Sequence, residues 1–167
     1  MRNRFFPVFL DVSQKNVLIV GGGKIATRRI HTMLEFLSNI EVVAPVVSEE
    51  IEVLAGAGMI RWVAEAYDAC YVHDKDIVIA ATDNIDVNYQ VYKDCKHLEK
   101  KWNKQILINV VNDKNLCDFY FPSIIKDENV VIAINSGGTS PKYTKQIRKQ
   151  IETSLNSKSV YENEDTP

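Results

Sequence analysis

Residues 16–26 read Asn-Val-Leu-Ile-Val-Gly-Gly-Gly-Lys-Ile-Ala, and no other stretch limits the fold so strongly. An apolar run rich in β-branched side chains ends in three glycines and opens into a pattern of helical period. A strand must turn tightly into a helix here. The spacing Gly21-x-Gly23-x-x-Ala26 is that of a dinucleotide-binding turn. Gly21 permits the turn, Gly23 lets a pyrophosphate approach the backbone, and Ala26 is small enough for helix and strand to pack closely. Exposed N–H groups and the positive end of the helix dipole then favour phosphate charge. The alternative is a plain structural turn, which glycines also mark.

Length and composition bound the rest. The chain has 167 residues, 46% of them apolar, which suits one domain, or one domain with a small appendage. Lys plus Arg number 20 against 22 Asp plus Glu, a net charge of −2, so nothing pulls the chain toward nucleic acid or an anionic membrane. No run approaches the ~20 apolar residues of a membrane span. The basic start, Met1-Arg2-Asn3-Arg4-Phe5-Phe6-Pro7, has too short an apolar stretch for a signal peptide. Cys70, Cys95 and Cys117 lack metal-type spacing; they fit a reducing, cytoplasmic setting and argue against a disulfide framework or a cysteine zinc site.

Strand and helix patterns alternate from residue 16 to 111. Strands are expected at Asn16–Val20, Ile40–Ala44, Ile60–Val63, Asp76–Ala81 and Ile106–Val111, with helices at Lys24–Leu37, Glu49–Ala55 and Ile85–Lys100. Ser48 is a plausible N-cap for the second helix. The near-continuous apolarity of Ile77–Ala81 suggests a strand buried on both faces. This alternation predicts the α/β class, a Rossmann-type parallel sheet with helices on both faces.

The pattern changes after Val111. Asp118–Pro122 and Asn129–Asn135 read as two strands joined by the short segment Ile125–Glu128, a connection with no room for a crossover helix. Ser140 and Pro141 then open a helix running to about Leu155. The expected organisation is residues 1–111 as nucleotide-binding domain, 112–157 as a β/α extension, and 158–167 as a polar, disordered tail. Two strands cannot bury a core of their own, so Phe119, Tyr120, Phe121 and Val130–Ile134 call for a partner surface. A homodimer paired through the extensions is the expectation.

Several loops carry candidate chemistry. An acid usually ends the second strand of an NAD-binding fold and holds the ribose; here the strand ends Ala44-Pro45-Val46. Either backbone holds the ribose or NAD is not the ligand, and no Arg stands there to suggest NADP. Thr82 and Asp83, at the carboxyl edge of the sheet, are placed to contact the nicotinamide side, or Asp83 caps the next helix. Asn112-Asp113-Lys114 follows the fifth strand, where an acid can act as general base or acid, or the loop is simply solvated. Ser136-Gly137-Gly138-Thr139 precedes the last helix and suits an anion such as a carboxylate, or is a simple capped loop. His31, His73 and His97 have no neighbouring ligands in sequence, so packing or surface placement is the better reading. Lys142, Lys145, Arg148 and Lys149 make the last helix basic; this is a solvated face or an attraction for a polyanion.

Taken together, Phe6–Leu10, Val20-Gly21-Gly22-Gly23-Lys24-Ile25-Ala26, Val42-Val43-Ala44-Pro45, Ala80-Ala81-Thr82-Asp83, Asn109-Val110-Val111, Phe121–Ile125 and Ser136–Pro141 occur in one order. That ordered set resembles the NAD-dependent precorrin-2 dehydrogenases, including the amino-terminal part of multifunctional siroheme synthases, over about residues 5 to 152. The resemblance implies oxidation of precorrin-2 to sirohydrochlorin with NAD as hydride acceptor, Fe2+ insertion in some members, and a homodimer with the extension at its interface. It implies that Gly21, Gly23, Lys24, Ile25, Pro45 and Val46 line the NAD site, to which the residue reading adds Gly22, Thr82 and Asp83 as cofactor-binding candidates. It also implies that Ser136, in the loop continuing through Gly137, Gly138 and Thr139, faces the tetrapyrrole, whose eight carboxylates suit amide-donating loops. Apart from the resemblance, the cysteine spacing and the isolated histidines lead to the expectation of no metal site.

Two departures stand out. The family's key aspartate directly follows the Asn-Val-Val strand, where this chain has Asn112, with Asp113 next. An amide is neither a general base nor a carboxylate ligand, so either Asp113 takes over through a small loop shift, which is the expectation, or the chemistry relies mainly on hydride geometry, or activity is reduced. The chain also stops at Pro167, whereas many members continue into a larger helical region, which makes dehydrogenation the firmer expectation and Fe2+ insertion the weaker. The competing reading, favoured by Asn112, is a non-catalytic protein that binds a tetrapyrrole or nucleotide.

Overall fold

The computed structural model describes residues 5–137 and 140–162. They fall into two compact units, the first ending at Phe119 and the second beginning at Tyr120.

The first unit is built on five parallel strands: β1 (Val17–Val20), β2 (Ile40–Val43), β3 (Arg61–Val63), β4 (Ile77–Ala80) and β5 (Leu107–Val110), in the order β3-β2-β1-β4-β5. Every residue of β1, β2 and β4 is buried, which is why these strands are apolar without alternation except at one position. The one acid among them, Glu41, is paired with Lys75 at 3.6 Å and Arg61 at 2.8 Å, as a buried charge requires. The order reverses direction between β1 and β4, and at such a switch point the carboxyl ends of two neighbouring strands diverge into a crevice.

Three helices connect these strands: α1 (Lys24–Leu34), α2 (Glu49–Gly56) and α3 (Ile85–Trp102). The alternative role read for Asp83, capping α3, falls instead to Asn84, whose side chain accepts from the N–H groups of Asp86 and Val87. Its buried face is Asn88, Val91, Cys95 and Leu98, a helical stripe that includes one amide. Helix α1 ends at Leu34 rather than Leu37, although Leu37 is still buried, its N–H bonded to Met33 O.

The first unit extends past the boundary expected at 111 because the chain folds back onto β5. The Asp118 N–H bonds to Ile108 O at 2.8 Å, and Asn109 Nδ2 donates to Phe119 O at 2.9 Å. Cys117 is buried, its Sγ accepting from Val110 N. Residues 118–122, expected to be a strand, serve as this return and link.

In the second unit β6 (Ser123–Asp127) pairs antiparallel with β7 (Val130–Ile134), and α4 (Pro141–Glu162) packs against β6. Pro122 lacks the N–H a ladder needs, so β6 starts after it and includes most of the segment expected to be the connector. The turn is Glu128-Asn129, with Glu128 in the left-handed region at φ 47°. Helix α4 carries on through residues 158–162, expected to be tail; no Gly or Pro interrupts the chain there.

Candidate nucleotide cleft and active site

A cleft of about 590 Å³ opens at the carboxyl ends of β1, β2 and β4. Its floor is the glycine turn. Gly21 has φ +116°, and a side chain there would put Cβ 2.5 Å from the carbonyl oxygen of Ala81 at the end of β4. Gly22 is as confined: its Cβ would lie 2.4 Å from Val46 O, and its own carbonyl accepts from Ser48 N at 2.9 Å. The sequence motif assigns position 22 no task, yet the loop after β2 rests directly on it. Gly23 differs, since a Cβ there would meet nothing within 4 Å. The space above Gly23 is therefore open to a ligand.

Helix α1 begins at that opening without a protein cap. Gly23 is the N-cap, no side chain bonds to the helix end, and the first turn has no acid. Instead the first residue is Lys24, whose charge opposes the dipole. An uncapped end beside a cation favours an anion in the position the protein leaves open. Ser48, expected to cap α2, makes no such bond; its hydroxyl lies 2.9 Å from that of buried Thr27 on α1. That bond ties the loop after β2 to the glycine turn.

The cleft brings together most of the residues expected to bind cofactor: Gly21, Gly22, Gly23, Lys24, Pro45, Val46, Thr82 and Asp83. Ile25 is not among its lining residues, although it is 45% exposed on the first turn of α1. Val46 is 78% exposed and offers an apolar platform where the ribose-binding acid usually stands. Asp83 is the one carboxylate among the lining residues.

Sequence reasoning missed Tyr67. It lies on the wall of the cleft beyond β3 and donates its hydroxyl to Asp94 on α3 at 3.0 Å. Burial, then the Asp94 charge, hold that hydroxyl protonated well above the ordinary tyrosine range. Nothing in the local sequence marks it, because its partner is distant in the chain. Asn88 was missed as well. It is fully buried, and its side chain bonds to Thr82 and to Asn112. Here a signal existed: an amide in the otherwise apolar stripe of α3.

Asn112 and Asp113 lie at the end of β5, outside the cleft lining. Asn112 Oδ1 accepts from Asn88 Nδ2 at 2.7 Å. Asp113 caps a short 3-10 turn, its Oδ1 accepting from Asn115 N at 2.9 Å. In the second unit, the Ser136 hydroxyl accepts from Thr144 Oγ1 at 2.9 Å, and Gly137 has φ +63° with its N–H bonded to Asn135 Oδ1. Gly138 and Thr139 lie outside the described residues. Among the described residues no group of three or more His, Cys, Asp or Glu is placed to hold a metal ion, and no helix is long and apolar enough to cross a membrane.

The parallel order, the glycine turn and the uncapped helix together fit a nucleotide diphosphate. A family model described as "Putative NAD(P)-binding" matches residues 8–123. The chain belongs to this NAD(P)-binding family. It is similar to the siroheme synthase of Buchnera aphidicola subsp. Acyrthosiphon pisum (strain APS), 32% identical over 154 residues, 92% of this chain and 31% of that protein. It is also similar to the siroheme synthase of Actinobacillus pleuropneumoniae serotype 7 (strain AP76), 36% identical over 148 residues, 89% of this chain and 29% of that protein. The chain thus spans about a third of the length of the curated relatives it matches. Among solved structures it resembles SirC, a precorrin-2 dehydrogenase, with a TM-score of 0.73 and 29% identity, covering 90% of this chain and 71% of that one.

The two glycine roles separate experimentally. Gly22→Ala forces a Cβ against backbone and should lower the melting temperature, at an overpacking cost of about 1–3 kcal/mol. Gly23→Ala should leave the melting temperature unchanged but weaken NAD+ binding by on the order of tenfold, as read by thermal denaturation and calorimetry side by side.

Proposed function

We propose that this chain is an NAD-dependent dehydrogenase that oxidises precorrin-2 to sirohydrochlorin in siroheme formation. The observation that carries the reading is the cleft at the switch point, with its open Gly23 and uncapped α1, on a chain similar over nine-tenths of its length to a solved precorrin-2 dehydrogenase. The N–H groups at the start of α1 and the Lys24 ammonium hold the diphosphate. Val46 and Tyr67 wall the cleft, and the missing acid after β2 leaves ribose recognition to backbone and the Ser48 region. Bound NAD+ supplies the hydride acceptor.

Oxidation by hydride loss also releases a proton. Asp83 lines the cleft beside Thr82 and takes that proton. Asp113, the substitute expected from the sequence, spends one carboxylate oxygen on its own turn and is the second choice. A second copy of the chain completes the molecule, paired through the second unit. No residue of β7 is buried, and Val130 and Tyr143 are 54% and 58% exposed; a two-stranded sheet is marginal without further cover.

Anaerobic incubation with precorrin-2 and NAD+ should give NADH and the sirohydrochlorin chromophore in equal amounts. NAD+ binding without NADH formation would instead favour the non-catalytic binder. Asp83→Asn should lower kcat by about a hundredfold or more; if Asp113→Ala does so and Asp83→Asn does not, the proton acceptor is Asp113. Sedimentation at micromolar concentration should give twice the chain mass, and Val131→Glu should shift it toward one chain; a monomer in the unmodified protein rejects the pairing.

A further inference from the structure

At the end of β5 the hydrogen bonds decide which way an amide faces. Asn88 is completely buried on α3. Its Oδ1 accepts from Thr82 N at 3.1 Å, and its Nδ2 donates to Thr82 O at 2.9 Å. A backbone N–H only donates and a backbone carbonyl only accepts, so both ends of the Asn88 amide are assigned by their partners. The Thr82 hydroxyl also lies 2.8 Å from Asn88 Oδ1.

One Asn88 Nδ2 proton remains, and it goes to Asn112, 2.7 Å away. The atom that Asn112 turns toward it must accept, so it is the oxygen. The Asn112 Nδ2 then faces outward from an exposed position, without a partner among the described residues. The sheet register places this group beside the cleft: Ala80 pairs with Val110, and Thr82 and Asn112 each lie two residues further along. Thr82 lines the cleft.

We infer that Asn88 is a positioning residue, and that through it Asn112 presents its side-chain nitrogen as a hydrogen-bond donor to a carboxylate of the substrate. The inference rests on the functional reading above, which supplies an acid-bearing tetrapyrrole. It explains how an amide serves at this place. A carboxylate at 112 would satisfy Asn88 equally well, but its outward atom would be a second acceptor carrying charge. The amide gives an anionic group a donor, and an N–H to a carboxylate is among the stronger neutral-to-ion hydrogen bonds. The same Asn88 holds the turn carrying Thr82, so the substrate contact and the cofactor turn share one support.

The test titrates the full chain with sirohydrochlorin, followed through its own absorbance, with NAD+ calorimetry in parallel. Asn112→Asp keeps the acceptor for Asn88 but replaces the outward donor with a charged acceptor. It should weaken sirohydrochlorin binding by about ten- to a hundredfold, raise KM for the tetrapyrrole, and leave the NAD+ dissociation constant unchanged. Asn88→Asp keeps the acceptor contacts to the Thr82 N–H and hydroxyl but removes both Nδ2 donations, to Thr82 O and to Asn112, so it should also loosen the Thr82 turn and weaken NAD+ binding. The Asn112 amide must then reverse, so tetrapyrrole binding should weaken although residue 112 is intact. Sirohydrochlorin bound equally tightly by Asn112→Asp and by the unmodified chain overturns the inference alone. An unmodified chain that binds NAD+ but no sirohydrochlorin overturns the functional reading beneath it.

Discussion

The close approach of three backbone segments governs this structure. The turn at Gly21 and Gly22 is pressed between the end of β4 and the loop after β2, at distances no Cβ tolerates. That contact sets how deep the cleft is and where α1 begins. Hydrogen bonds fix the same arrangement, from Gly21 N to Val43 O and from Ser48 N to Gly22 O. The Thr27–Ser48 hydroxyl pair adds a side-chain link between the helix and the loop. The sheet beneath supplies rigidity, since β1, β2 and β4 are buried throughout, and close-packed interiors resist small shifts.

On this frame the protein leaves some groups unsatisfied and satisfies others fully. The start of α1 has no cap and a lysine of the wrong sign for its dipole, an arrangement that favours an incoming anion. The start of α3, by contrast, is capped by Asn84 and supported from within by Asn88. The two helices flank the same cleft. One is kept open for a ligand, while the other holds the turn bearing Thr82 and Asp83 in place.

Much of the first unit was legible in the sequence because its signals are local. Buried parallel strands read as apolar runs, and Gly21, Gly23 and Ala26 carry a spacing with a mechanical cause. What escaped were features made by distant segments. Gly22 is confined by Val46, and Tyr67 is held by Asp94, and neither partner is close in the chain. The return of residues 112–119 onto β5 rests on Asn109 and Cys117, polar groups whose partners no local pattern reveals. In the second unit the hairpin was expected but its first strand was placed too early, because the aromatic run before Pro122 resembles a strand more than Ile124–Lys126 does. The Ser48 cap failed for a similar reason: a cap rule considers only the neighbouring helix, and the hydroxyl found a partner on another one.

The most direct test of the central claim is calorimetric titration of the full chain with NAD+, repeated with ADP-ribose as competitor. A cleft built around the glycine turn predicts one saturable NAD+ site per chain, displaced by ADP-ribose because the diphosphate provides the main anchor. No heat with either NAD+ or NADH, or binding that ADP-ribose leaves untouched, would contradict it.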